Sequence, residues 1–240
     1  MAAMNTSSQR FPARILIAGA SRGLGRAMAE AFVKKGSHVV GTVRGSSRTE
    51  LHDVADAHPT QVTIERLDIT EPDQIADLRE RLRGKVFDIV FVNAGTANRN
   101  PHETIAEVPT DEFVRVMLTN TLGVMRAVDG LEDLVPPTGL IGVMSSGQGS
   151  IANNTRGGFE VYRGSKAALN QYMRSYAARH AQDPRAMVLM APGWIRTAMG
   201  GPNATFSIEE TVPQLVDTLI AQQGIPGLRF IDRHGETVPW

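Results

Sequence analysis

Arg14-Ile15-Leu16-Ile17-Ala18-Gly19-Ala20-Ser21-Arg22-Gly23-Leu24-Gly25 runs from a short apolar segment into a turn punctuated by three glycines. Residues 15–18 form the kind of continuous apolar run that a strand buried on both faces requires. Gly19 ends it, and a helical pattern of apolar residues occupies 24–35, so the stretch predicts a strand–turn–helix unit. Glycine at 19, 23 and 25 permits positive φ and lets the backbone and the helix N-terminus come close to a pyrophosphate. Exposed N–H groups and the helix dipole favour negative charge there. The spacing, G-x-x-x-G-x-G, differs from the dinucleotide fingerprint G-x-G-x-x-G, and no Gly-Lys-Ser/Thr follows to make a P-loop. Any tight strand-to-helix turn also needs glycine, so the motif by itself leaves a packing role open.

The same alternation continues along the chain. Gly36 closes the first helix, and 37–43 is a strand rich in β-branched residues. Further strands are expected at 62–67, 87–92, 140–144, 186–190 and 228–232. Between them helices are expected at 71–83, with Thr70 as N-cap and Pro72 in the first turn, at 110–134, 160–181 and 208–222. Strands separated by helices need crossover connections. The prediction is therefore a doubly wound α/β fold, a mostly parallel sheet with helices on both faces. No linker or repeat divides it, which gives a single domain over 13–240 after a polar N-terminal tail, 1–12.

Composition narrows the function classes. The 25 basic and 25 acidic residues cancel, so no overall field attracts nucleic acid or an anionic membrane. The absence of cysteine excludes disulfides, thiolate metal ligands and a cysteine nucleophile, and suits a reducing compartment, with cytoplasm as the default. The first twelve residues lack the apolar stretch of a signal peptide, and nowhere does an apolar run reach the length of a membrane span.

In a doubly wound sheet, ligands bind beyond the carboxyl ends of the strands, and the candidate residues fall there. The second strand ends at Arg44, where an acid for the adenosine ribose is usual. Arg44, helped by Arg22, suits a 2′-phosphate instead, which favours NADP(H) over NAD(H). Two solvated surface arginines are the alternative. Asp68 ends the third strand and Asn93-Ala94-Gly95 the fourth; each also has an ordinary reading as a turn residue.

Tyr162-Arg163-Gly164-Ser165-Lys166 decides between these readings, preceded by Ser145-Ser146 at the end of the fifth strand. Tyr and Lys at i and i+4 share a helix face. A phenol has a reference pKa of about 10, so proton exchange near neutrality asks for a shift of ~3 units, or ~4 kcal/mol. A neighbouring ammonium acts in that direction. Ser146 is placed to hold a reacting oxygen. Alone, the pair is also what an amphipathic helix with a surface lysine would show.

On these residues the chain resembles the short-chain dehydrogenase/reductase family over 15–240, and within it the sniffer-type carbonyl reductase and C-factor subgroup. Gly19, Gly23 and Gly25 match the family's Rossmann-type cofactor turn. Asp68 matches its adenine contact, Asn93-Ala94-Gly95 its N-A-G motif, and Pro192-Gly193 with Thr197 its nicotinamide-side loop. Asn120, Ser146, Tyr162 and Lys166 match its catalytic tetrad. The resemblance implies NADP(H)-dependent interconversion of a carbonyl and an alcohol, with further cofactor contacts at Ser21, Arg22, Leu24, Arg44, Ile69 and Ile195. It also implies that Lys166 contacts the nicotinamide ribose and that Asn120 holds a water relay to Lys166. The long helices at 110–134 and 160–181 resemble those that pair subunits in the family, which leaves a homodimer or homotetramer open.

Two departures accompany the match. Ala18 stands where threonine is common, so a hydroxyl contact that stabilises the turn is expected to be lost while cofactor binding survives. The span from Ser146 to Tyr162 is longer than usual, which leaves Ser145 as a second candidate for the serine. The six histidines show no metal spacing, and Val143 and Met144 break any G-x-S-x-G nucleophile elbow. Trp194, Met199 and Phe206 read either as an apolar substrate wall or as packing. A regulatory protein that binds NADP with incidental catalysis is the rival from another class.

Overall fold

The computed structural model describes residues 13–240; the expected N-terminal tail lies outside them. Seven strands form one sheet: β1 Arg14–Ala18, β2 His38–Val43, β3 Val62–Arg66, β4 Ile89–Val92, β5 Leu140–Met144, β6 Ala186–Ala191 and β7 Gly227–Asp232. Every pairing is parallel and the order is β3-β2-β1-β4-β5-β6-β7. The chain winds outward from β1 in one direction and from β4 in the other. The reversal between these neighbours opens a crevice beyond their carboxyl ends.

The helices are α1 Gly23–Lys34, α2 Glu50–Ala57, α3 Pro72–Arg81, α4 Thr110–Met117, α5 Val124–Leu131, α6 Glu160–Arg179 and α7 Ile208–Gln222. Alternate residues of each strand enter cores on opposite faces of the sheet. Leu16, Val90 and Ile141 pack with Leu78 of α3, Val128 of α5 and Leu169 of α6. Ile15, Ile17 and Val188 pack with Phe32 of α1, Leu51 of α2 and Leu215 of α7. Both faces are covered, which is why the central strands read as unbroken apolar runs.

Three local expectations change. α2 was not expected. Its signal is short: Thr49 precedes Glu50 and donates its backbone N–H to His52 Nδ1 at 3.0 Å, and only Leu51 and Val54 are buried. Thr70 does not cap α3; its hydroxyl donates to Asp68 Oδ1 at 2.7 Å, and Glu71 is the capping position ahead of Pro72. The helix expected over 110–134 is broken by a π-helical segment, Leu118–Gly123, and ends in a 3₁₀ turn at Glu132–Leu134. At Gly123 a Cβ would stand 2.8 Å from the Ile69 carbonyl oxygen, so only glycine allows this approach to the sheet edge. Single π turns inside α-helices recur at functional sites, and this one carries Asn120.

Candidate active site

The turn between β1 and α1 is closed from two sides. Gly19 has φ +92, and a Cβ there would lie 2.8 Å from the Ala94 backbone. Its N–H donates to Thr42 Oγ1 at 2.9 Å, the Ala20 N–H donates to the Thr42 carbonyl at 2.8 Å, and Asn93 Nδ2 donates to the Gly19 carbonyl at 2.7 Å. The hydroxyl contact expected to be lost with Ala18 is thus supplied by Thr42 of β2, a residue that pattern reading passes over as one more β-branched strand position. Gly25 is tighter still, a Cβ there falling 2.1 Å from the Gly19 oxygen.

α1 begins at Gly23 with no side-chain cap and no acid in its first turn. Gly23 has φ +58, and a Cβ there would meet only Thr197 Cγ2, at 4.0 Å. The uncapped start of α1 therefore faces the Thr197 segment that follows Pro192-Gly193, with room left between them. That is the cradle a pyrophosphate needs. Ser21 and Leu24 are partly buried in the same turn, and Arg22 and Arg44 are exposed. Arg66, exposed at the end of β3, donates its Nε to the Arg44 carbonyl at 3.3 Å and adds a third arginine to this edge. No acidic residue replaces the missing ribose ligand at 44, so the residues present fit a 2′-phosphorylated dinucleotide.

Asp68 performs the turn role that its residue type offers: Oδ1 accepts from the Thr70 N–H at 3.0 Å as well as from its hydroxyl. Its backbone N–H donates to Gln74 Oε1 at 2.9 Å, and Ile69 beside it is buried. Asn93 and Ala94 both donate backbone N–H groups to the Ala18 carbonyl, which aligns the β4 edge with β1.

Gly95 marks the meeting point of the two halves. A Cβ there would stand 3.4 Å from Asn120 Oδ1 and 3.5 Å from Lys166 Nζ. Asn120 is fully buried. Its Oδ1 accepts from the Thr96 N–H at 2.7 Å, and its Nδ2 donates to the Thr96 carbonyl at 2.8 Å and to Ser165 Oγ at 2.9 Å. Lys166, also buried, donates Nζ to the Met144 carbonyl at 2.9 Å and lies 5.9 Å from the Tyr162 ring centroid. Burial lowers its pKa to about 8.

Tyr162 is half-buried. Burial raises its pKa, and the nearby Ser146 hydroxyl acts in the opposite direction. The expected lowering by the lysine ammonium is not what this arrangement shows, because Lys166 is turned toward the backbone at the end of β5. The two serines have different surroundings. Ser145 Oγ is buried and donates to Asn170 Oδ1 at 2.6 Å, and Asn170 Nδ2 donates to the Gly149 carbonyl at 3.2 Å. Ser146 Oγ accepts from the Gln148 N–H at 3.1 Å and faces the phenol.

On the opposite side, Pro192 is buried and its carbonyl accepts from Arg233 Nη1 at 3.3 Å. Gly193 has φ +98, a conformation that strains any residue with a Cβ, and a Cβ there would press on Arg233 Nη1 and the Phe206 ring. Arg233 in turn lies 3.9 Å over the Phe206 ring. Ile195 is buried and pairs with Phe206, and Thr197 Oγ1 accepts from the Gly200 N–H at 3.0 Å. Phe206 is therefore packing. Trp194 and Met199 stand half-exposed, the indole fixed by Nε1 donating to the Gly200 carbonyl at 2.8 Å. Sequence reasoning missed Thr42, Arg66, Thr96, Asn170 and Arg233, each of which pairs a side chain with a partner, most often backbone, distant in the chain.

A family model described as enoyl-(acyl carrier protein) reductase matches residues 19–216, which span the cofactor turn, the tetrad and the Pro192 loop. The chain belongs to the short-chain dehydrogenase/reductase family. It is similar to a Burkholderia multivorans structure described as a short-chain dehydrogenase/reductase with bound NADP, with 60% identity and a TM-score of 0.94. That match covers 95% of this chain and all of the other. The carbonyl reductase Sniffer of D. melanogaster is 28% identical, with a TM-score of 0.83, over 95% of this chain and 99% of its own. The C-signal protein of Myxococcus xanthus is 32% identical over 155 residues, which are 64% of this chain and 92% of that protein. This family member is an oxidoreductase acting on C=O and CH–OH groups. Among its described residues no helix is long and apolar enough to cross a membrane.

Proposed function

We propose that the protein interconverts a small-molecule carbonyl and its alcohol with NADP(H), using Tyr162 as general acid and base. The observation that carries this reading is the convergence of Ser146 on the Tyr162 phenol while Lys166 and Asn120 meet at Gly95 one layer below. The cofactor supplies a hydride from nicotinamide C4 when bound. In reduction Ser146 donates a hydrogen bond to the carbonyl oxygen and Tyr162 gives that oxygen its proton. A phenol held neutral by burial is the right form for an acid at neutral pH. Lys166, held at the Met144 carbonyl, would contact a ribose hydroxyl of the bound cofactor, and its charge would stabilise the phenolate left behind. Asn120 keeps a water in line to return the proton. Arg44, Arg22 and Arg66 bind the 2′-phosphate and set the preference for NADP(H). A cysteine-free chain of this kind suits the cytoplasm. Phe113 and Val114 on α4, Leu122 in the π-helical segment and Tyr172 on α6 are exposed, and through these a homodimer or homotetramer assembles.

Initial rates over a panel of aldehydes, ketones and quinones test the reading, with NADPH against NADH as donor. Wild type turns over with NADPH, Tyr162→Phe loses at least about a hundredfold, the usual share of a general acid, and Arg44→Asp raises the KM for NADPH but not for NADH. NADPH binding without turnover of any carbonyl would favour the second reading, a regulatory role, which the likeness to C-signal supports. Full activity in Tyr162→Phe would remove the proton-transfer assignment.

A further inference from the structure

Glu112 is the one fully buried acid among the described residues, and it lies in α4, outside the tetrad. Its Oε2 accepts from Arg115 Nε at 2.9 Å, and its Oε1 accepts from Arg115 Nη2 at 2.8 Å and from the Arg99 N–H at 2.6 Å. These partners hold the carboxyl down at about 2. Desolvation of the buried carboxylate offsets much of its attraction to the partly exposed guanidinium, so the pair adds little stability. Its use is geometric, since a guanidinium fork and a carboxylate fit in one relative orientation.

The remaining donors of Arg115 show what that orientation serves. Nη1 donates to Thr96 Oγ1 at 2.9 Å and Nη2 to the Ala97 carbonyl at 2.8 Å. Thr96 is the residue whose N–H and carbonyl grip both ends of the Asn120 carboxamide. Asn120 passes its last donor to Ser165, whose hydroxyl donates to the Tyr162 carbonyl at 2.8 Å. The loop after β4 has no strand or helix of its own between Gly95 and Asn98. Among the described residues, the other hydrogen bonds of Thr96 are its hydroxyl to the Ala97 carbonyl at 3.3 Å and the two to the Asn120 side chain, so Arg115 is its one tie to α4.

We infer that Glu112 and Arg115 are positioning residues for the catalytic centre: the pair fixes Thr96, and Thr96 fixes the Asn120 carboxamide beside Lys166. The catalytic part of this inference rests on the function proposed above; the geometric part does not.

Arg115→Met, which keeps most of the packing and removes the fork, is the test, with Glu112→Gln as the second variant should the first fail to fold. Amide hydrogen exchange is read together with kcat, the KM for the carbonyl and NADPH affinity. The expected result is faster exchange both at 95–99 and at 118–123. It comes with a fall in kcat of about ten- to a hundredfold, as a displacement of about 1 Å gives, and with KM and NADPH affinity within about twofold. In an Asn120→Ala background the same substitution should lower kcat no further, because the effect is transmitted through that side chain. Faster exchange confined to the start of α4, or a loss of kcat that persists in full without Asn120, would overturn the inference. If wild type binds NADPH but turns over no carbonyl, the proposed function fails, and exchange at 118–123 still decides whether the pair holds Asn120.

Discussion

The turn after β1 and the loop after β5 both deliver residues to the catalytic edge, and they are built on opposite terms. The first is short and has no room for a Cβ at two of its glycines. At Gly19 and Gly25 an added Cβ would strike backbone atoms, and the backbone groups of Gly19 and Ala20 are taken up by Thr42 and Asn93. The second runs from Ser145 to Phe159, is exposed throughout 151–158, and carries Ile151 at 75% exposure. It ends at Phe159 with φ 51, the only positive φ outside glycine among the described residues. Besides turn hydrogen bonds of its own, such as the Asn153 N–H to Ser150 Oγ at 3.1 Å, it is held from elsewhere in the chain. The Ala152 N–H donates to the Trp240 carbonyl at 2.9 Å, and the Ile105 N–H donates to Glu160 Oε2 at 2.7 Å at the head of α6. Trp240 is itself seated on Phe230, with Arg174 4.5 Å over its ring. In the function proposed above, the cofactor meets a turn with no room for a Cβ at Gly19 or Gly25, and the substrate meets a loop that remote contacts help to hold.

The contrast is broken most severely at the first turn. Gly25→Ala places a Cβ against backbone that cannot move without unseating β1, so NADPH binding is expected to disappear and stability to fall by more than about 3 kcal/mol. Fluorescence titration with NADPH and a thermal melt check both. If Gly25→Ala binds NADPH normally, the turn is softer than its contacts indicate.

The next effect lies at Lys166, whose backbone adjoins Gly149 of the second loop. Burial brings its pKa to about 8, so it carries its charge below that pH and loses it above. Reduction that needs the ammonium should show kcat/KM falling as pH rises through about 8. Lys166→Arg, which stays charged, should move that limb to higher pH even if its ceiling is lower. An unchanged alkaline limb in the arginine variant would assign the titration to another group.

The smallest effect is expected at the far support of the long loop. Trp240→Ala removes a partly buried ring and is expected to lower stability by about 2 kcal/mol, below the range for a fully buried tryptophan. Limited proteolysis should then cut faster within 151–158, and the KM for the carbonyl should rise while NADPH affinity stays within about twofold. Equal losses of both would mean that the C-terminal contacts support the whole catalytic edge.

The legibility of the molecule follows the same division. Strands β1 to β7 and most helices could be read because a sheet covered on both faces demands apolar runs, and crossover helices separate those runs. α2 escaped because two buried residues, Leu51 and Val54, are too few to make a period. The break at Leu118–Gly123 escaped because its cause is the approach of Gly123 to the Ile69 carbonyl, a contact between residues far apart in sequence. Tyr162 and Lys166 stood out through their i, i+4 spacing, whereas the different surroundings of Ser145 and Ser146 depend on Asn170 reaching back from α6. Glu112 and Arg115 look in sequence like any solvated i, i+3 pair; only burial of the carboxylate sets them apart.

By itself, then, the sequence determined the doubly wound α/β class, the glycine turn, and the residue types at each strand end, because these follow from local backbone freedom and hydrophobic period. Tertiary structure decided what closes that turn, how Asn120 is held, and where Lys166 points. Those depend on hydrogen bonds between backbone and side-chain groups widely separated along the chain, and no local pattern records such partners.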